Sequence, residues 1–286
     1  MDVSIIIVSW NVRDLLRECL ASLYQNQGTL SMEVIVVDNH SSDGTVAMIE
    51  REFPRVRVMA LTKNIGFARA NNRALPEASG RYVMLLNPDT EILGDALGTL
   101  SRYLDDHPEV AAVAPQIINP DQSFQRGSDR RNPTLGSQLL IMLKLQHLLK
   151  HARVLQEYYY ADFQPDQEQA VDQVMGAALC IRSSFLQRVG FFDEKFFLWF
   201  EAVDLCRRIR RAGGEIRYYP HARVIHHGGQ SFKLTLPMAK QQIYNRSAVY
   251  YFYKHHGLLA AILLAATIPF NMTAVALYQT FRKHAS

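Results

Sequence analysis

The first 118 residues alternate short apolar runs with stretches of helical spacing, and this rhythm restricts the fold more than any other feature. Val3 to Val8 is a nearly continuous apolar run, as carried by strands covered on both faces. From about Val12 to Gln27, the residues Leu15, Leu16, Cys19, Leu20 and Leu23 recur on one helical face. VIVVD (Val34 to Asp38) reads as a second buried strand, and SSDGT leads into a helix carrying Val46, Ile49 and Phe53. Val56 to Leu61 and Arg81 to Leu86 read as further strands, with a helix from Gly66 to Ala78 between them. A βαβαβαβ order predicts an α/β fold: a mostly parallel, Rossmann-like sheet with flanking helices. Ligands of such sheets bind beyond the carboxyl ends of the strands. The residues to watch are therefore Ser9–Asn11, Asp38–Ser41, Lys63–Gly66 and Asn87–Thr90, each just past a predicted strand.

After Ile118 the alternation breaks. Residues 119–170 read as an insertion: a polar stretch with three arginines, then a Leu- and Met-rich helical run, then Tyr158–Tyr160 and QPDQEQ. An apolar strand from Val174 to Ile181 follows. A helix from about Glu201 to Ala212 stops at Gly213–Gly214. Strands near Glu215 to Tyr219 and Ala222 to Ile225 close the globular part. The expected division is a domain over 1–232 and a helical tail over 233–286. In the tail, Leu258 to Phe270 is uncharged, Pro269 and Asn271 interrupt the apolar run, and Lys254 and Arg282 are among its basic flanks. The segment just reaches the length of a spanning helix. An interfacial or re-entrant helix is the expected arrangement.

Charged residues make up 20% of the chain, apolar ones 48%, and the net charge is +4, as in a protein with a substantial core. The mild basicity suits an anionic lipid surface or a phosphorylated ligand without establishing either. Three widely spaced cysteines, Cys19, Cys180 and Cys206, predict no disulfide framework and fit a reducing compartment. The N-terminus runs into SIIIVS with no basic stretch, so no secretory signal is expected. SWNVRD after the first strand lacks the glycines of a dinucleotide-binding turn, and no aromatic-basic motif points to nucleic acid.

Five stretches carry possible chemistry, each with a plainer alternative. In LLNPDTEIL a strand ends in Asn87 and Asp89; Asp89 either caps a helix or ligates a divalent cation, whose other ligands can be phosphates and water. VDNHSSDGT offers Asp38 to a base or ribose, and is equally an ordinary turn. KNIGFARANN opens a helix whose amides could meet an anion. Glu201 and Asp204 share a helix face, where either could deprotonate a hydroxyl; Asp204 and Arg208 are also spaced as an ion pair. His226 and His227 follow a strand, and adjacent side chains of an extended chain point to opposite sides.

Taken in order, SIIIVSWN, VDNHSSDGT, KNIGFARANN, LLNPDTEIL, GAALCIRSSFLQRVGFFDEKFFLWFEAVDLCRRIRRAG and HHGGQS resemble family 2 glycosyltransferases, most nearly the bacterial rhamnosyltransferase-like group. The resemblance covers about residues 1–232, with 119–170 poorly matched. It implies a GT-A fold, a nucleotide-diphosphate sugar donor, Mg²⁺ or Mn²⁺, and inversion at the anomeric carbon. It places Ser9, Asn11 and Asp38 at the nucleotide base, and Asn64, Gly66 and Asn71 near base and phosphates. Asn87 and Asp89 fall on the family's metal motif, and His226 on its metal- or diphosphate-binding histidine.

One departure matters. The family's helix carries an acid as general base where this chain has Ala202. Either Glu201 or Asp204 serves instead, or the chain is an inactive nucleotide-sugar-binding homologue. The implied donor is dTDP-rhamnose and the implied acceptor a glycan or lipid-linked precursor. The expected location is cytoplasmic, peripheral or anchored at the inner face of the cell membrane, with 119–170 facing acceptor or membrane.

Overall fold

In the computed structural model, which describes residues 1–127, 129–228 and 237–284, the apolar runs become the middle of one sheet. The N-terminal elements are β1 (Val3–Ser9), α1 (Arg13–Gln25), β2 (Met32–Asp38), α2 (Thr45–Glu52), β3 (Arg57–Ala60), α3 (Phe67–Ala74), β4 (Tyr82–Leu86), β5 (Thr90–Leu93), α4 (Ala96–Asp106) and β6 (Val110–Ile118). Next come β7 (Asp129–Arg130), α5 (Leu135–Met142), α6 (Arg153–Tyr158), β8 (Gln169–Ala170), β9 (Gln173–Val174), β10 (Ala178–Arg182), α7 (Ser183–Val189), α8 (Glu201–Arg211) and β11 (Glu215–His226). The tail forms α9 (Pro237–His256), α10 (Leu258–Ala265) and α11 (Ile268–His284).

The nine-stranded sheet has the order β3-β2-β1-β4-β10-β6-β11-β5, with β8 also on β11. Strands β1 to β4 are parallel, as the alternation predicts. The second half is mixed, because β10 returns antiparallel between β4 and β6, and β5 and β8 run antiparallel to β11. Every residue of β1, β4 and β6 is buried, which is why these strands read as unbroken apolar runs. Alternation still sorts their side chains: Ile5 and Ile7 join one core cluster, Ile6 and Val8 the other.

Where two strands are expected near residues 215–225, one long β11 runs through. Its register against β6 slips between Tyr219 and Arg223, around Pro220, which has no N–H to give the ladder. A separate two-stranded sheet joins β7 to β9, so the start of the 119–170 segment is tied to the strand that follows it. The three cysteines are free and buried.

A third apolar cluster unites the segment and the tail: Met142 of α5 packs with Phe196, Phe200, Ala248, Tyr251, Phe252, Ala260 and Leu264. Asn271 is part of this packing. Its amide donates to the Met142 carbonyl at 2.7 Å, and its oxygen accepts from Asn245 at 3.1 Å, so the buried polar group is satisfied. Pro269 lies at the start of α11, where a missing N–H costs little. Leu258–Leu277 is long and apolar enough to cross a membrane by length and composition alone. Leu258, Leu259, Ile262, Leu263 and Phe270 are exposed. Gly229, Gln230 and Ser231 of the HHGGQS stretch, and the expected 232/233 boundary, lie outside the described residues.

Candidate active site

A cleft of about 880 Å³ opens beyond the carboxyl ends of β1 and β4. Asn64, Gly66, Asn87, Asp89, Glu201, Ala202 and His226 all line it, although they come from four separate stretches of sequence.

Asp89 and His226 meet through the sheet. The antiparallel ladder pairs Thr90 with His226, and the His227 amide donates to the Asp89 carbonyl at 2.9 Å. This brings His226 Nε2 within 3.4 Å of Asp89 Oδ1, both side chains nearly enclosed. His226 Nε2 is buried and makes no hydrogen bond, while Nδ1 is held by Gln125 Oε1 at 2.7 Å. His227 points elsewhere, to Glu91 at 2.5 Å. Glu18, Glu91 and His227 bring three potential ligand atoms within 4.8 Å of one another, in a partly exposed group that does not line the cleft.

Ser9 and Asp38 are register partners at the ends of β1 and β2. Asp38 Oδ2 accepts from the Ser41 amide at 3.0 Å, while Asp38 Oδ1 and Ser9 Oγ are buried without hydrogen-bond partners. Neither side chain lines the cleft; their neighbours Val8, Trp10 and Asn39 do. Asn11, at φ 52°, accepts from the Ser42 amide at 2.7 Å and so fixes the 38–42 turn. Asn64 Oδ1 accepts from Asn39 and from the Gly66 amide, both at 3.0 Å. Asn71 is buried within α3, its amide capping the Phe67 carbonyl at 2.9 Å.

The two acids of α8 have opposite surroundings. Burial pushes the Glu201 carboxyl up to about 7, and Glu201 Oε2 has no hydrogen-bond partner. Asp204 is fully buried, and burial alone would raise its pKa. Hydrogen bonds from His255, Lys254 and Arg208 outweigh that and hold it well below the usual carboxylate range. His255 and Lys254 reach Asp204 Oδ1 at 2.7 Å each, and Arg208 reaches Oδ2 at 2.8 Å. Asp204 does not line the cleft. Just before Glu201, Trp199 and Phe200 both adopt left-handed backbone, at φ 63° and 64°, which bulky residues rarely do.

Comparison with known proteins decides what kind of cleft this is. The family model for "Glycosyl transferase family 2" matches residues 4–186, more than half of the chain. The chain belongs to this family. Among its relatives, an N-acetylglucosaminyl-diphospho-decaprenol L-rhamnosyltransferase of Mycobacterium tuberculosis is 30% identical over 70% of this chain and 68% of its own. Rhamnosyltransferase WbbL of Escherichia coli is 27% identical over 80% of this chain and 86% of its own. Among solved structures, mannosyltransferase PcManGT of Pyrobaculum calidifontis, in complex with GDP-Man and Mn²⁺, superposes with a TM-score of 0.58. It is 19% identical and covers 97% of this chain and 75% of its own. The chain spans less than half the length of some larger solved chains of the same fold.

This family 2 glycosyltransferase has the GT-A fold, with a rhamnosyltransferase-like sequence. Its cleft also uses residues that periodicity and motifs do not single out. Gln125, Arg126 and Arg130 come from the 119–170 segment, and Lys240, Ile243 and Tyr244 from α9. Their only sequence signal is indirect: three arginines in an otherwise uncharacteristic polar stretch.

Proposed function

We propose that this glycosyltransferase moves a sugar, with inversion, from a nucleotide-diphosphate donor to a hydroxyl of a glycan or lipid-linked acceptor at the cytoplasmic membrane face. The observation that carries this reading is the buried Glu201 carboxyl, its Oε2 without a hydrogen-bond partner, in the same cleft as Asp89 and His226. With its pKa near 7, Glu201 accepts a proton from the acceptor hydroxyl at neutral pH, and the hydroxyl attacks the anomeric carbon in one displacement. Asp204, engaged by Lys254, His255 and Arg208, instead fixes α8.

The strand ends that carry Ser9 and Asp38 receive the nucleotide beside the cleft-lining Trp10 and Asn39, Asn11 and Asn64 hold their loops, Gly66 and Asn87 shape the path of the diphosphate, and Asn71 braces α3 behind it. Asp89 and His226 fit Mg²⁺ or Mn²⁺: a hard oxygen faces a buried imidazole nitrogen that has no hydrogen-bond partner. A cation held there would neutralise charge on the departing diphosphate. Gln125 on His226 Nδ1 would orient the ring from behind.

The names of the two relatives support rhamnose as the donor sugar, with dTDP-rhamnose the donor that the family resemblance implies, and the decaprenol-linked substrate named for one supports a lipid-linked acceptor. The exposed apolar face of α10 supports a membrane surface. In domain terms, 1–232 performs transfer, 119–170 faces the acceptor and 233–286 meets the membrane.

Single-turnover transfer from dTDP-rhamnose and a panel of other nucleotide sugars tests the reading. Glu201→Gln should lower the rate about 10²–10⁴-fold with donor affinity unchanged. An unaffected rate would remove Glu201 as the base. Ala202 supports a second reading, a nucleotide-sugar-binding homologue without transfer, because it lines the cleft at the family's base position. Transfer that appears only in Ala202→Asp or Ala202→Glu would favour it.

A further inference from the structure

Arg130 is a cation with no ion-pair partner among the described residues. It ends β7 and lines the cleft. Its guanidinium lies 5.8 Å from the Tyr158 ring centre and 5.6 Å from that of Tyr159. Its Nε is buried without a hydrogen-bond partner. The largest electrostatic influences on it come from Tyr158, which also hydrogen-bonds it, and from Tyr159 and Tyr244. Burial pushes the Tyr159 and Tyr244 phenols up, so neither supplies a negative charge at neutral pH. Aromatic faces attract a guanidinium but do not satisfy its Nε–H, which stays without a partner here. A planar, permanently charged fork in such a place matches a phosphate or carboxylate.

Two more cations, Arg126 and Lys240, line the same cleft, and neither has an ion-pair partner among the described residues. Among the described residues, the carboxylates that line the cleft against these three cations are Asp89 and Glu201.

Position separates this group from the donor. The donor motifs end β1, β2 and β4, whereas Arg130 is enclosed by tyrosines of the 119–170 segment and of α9. We propose that Arg130, assisted by Arg126 and Lys240, is an acceptor anion subsite that binds the phosphate or diphosphate joining the acceptor sugar to its carrier. This rests on the transfer reading above.

The test is calorimetric titration of geranyl diphosphate into the full chain already saturated with dTDP and Mn²⁺. The unmodified chain should bind. Arg130→Met should weaken binding at least tenfold, Arg130→Lys less, and Arg126→Gln several-fold, with dTDP affinity unchanged in all three. If Arg130→Met does not fold, the graded effect of Arg130→Lys and Arg126→Gln carries the test. Absent binding, or equal binding by every folded variant, overturns the proposal. Loss of dTDP affinity in the Arg130 variants also overturns it, by assigning the cation to the donor. A chain that binds neither dTDP nor UDP and transfers no sugar defeats the transfer reading; geranyl diphosphate titrated without nucleotide then still reports on Arg130.

Discussion

A Cβ added to Gly66 would lie 2.6 Å from the carbonyl oxygen of Phe197, the same oxygen that accepts the Phe67 amide at 2.8 Å. The loop that opens α3 is thus sealed against the loop that leads into α8. Gly66 also has φ +86°, a backbone conformation that side chains resist. Gly66→Ala should therefore lower stability by about 1–3 kcal/mol from backbone strain, with the contact adding to it. Chemical denaturation measures this. An alanine variant as stable as the original would mean that the two loops separate freely.

The rate of transfer should follow the ionisation of Glu201. Burial raises its pKa to about 7, so below that pH the carboxyl is protonated and cannot act as a base. Single-turnover rates should rise through about pH 7 and level off above it. A flat profile between pH 5 and 8 would show that no such group limits the reaction.

Asp204 should behave as a structural anion. Its pKa is depressed in the folded state, so its stabilisation is present above the ordinary carboxylate value of 3.8 and is lost as pH falls below it. Asp204→Asn leaves Lys254, His255 and Arg208 facing a neutral group. Breaking a buried pair in this way costs about 3–5 kcal/mol. A thermal melt at neutral pH should show a large fall, and the difference from the original should shrink in acid.

Donor binding should depend on Asp89 through a cation. Asp89→Asn should abolish the Mg²⁺- or Mn²⁺-dependent part of nucleoside diphosphate affinity while the fold survives. Gln125→Ala should weaken it less, about 10–100-fold, by freeing the ring of His226. Calorimetry with and without EDTA separates the two, and metal-independent affinity in the original chain would remove the cation from the site.

The full chain should float with anionic liposomes. Leu259→Glu with Ile262→Glu places charge on the exposed apolar face without touching the buried Ala260 and Leu264. That pair should abolish flotation and leave nucleotide affinity intact. Flotation unchanged by the pair would move the contact elsewhere.

Much of the sheet was legible because β1, β2 and β4 are buried on both faces and carry that burial as continuous apolar sequence. The site was legible only in part. Motifs mark Asp89 and His226, but the ladder that joins Thr90 to His226 spans more than a hundred residues and leaves no local periodicity. Glu201 and Asp204 look alike in sequence, three positions apart on one helix. What separates them is the company of Lys254 and His255, which only the folded tail supplies. Gln125 and Arg130 were hidden for the same reason: their roles come from neighbours that are remote in the chain.

The attachment of α9 to Asp204 bears on where the chain can be cut. Residues 254 and 255 supply two of the three side chains that hold that carboxylate, and Gly257, at φ 90°, breaks the helical path just after them. A fragment ending at 232 would leave Asp204 short of both partners and strip the cleft of Lys240 and Tyr244. The shortest fragment expected to keep α8 in place ends at His256, because Tyr251 also reaches α8, its hydroxyl accepting from Arg207 at 3.1 Å.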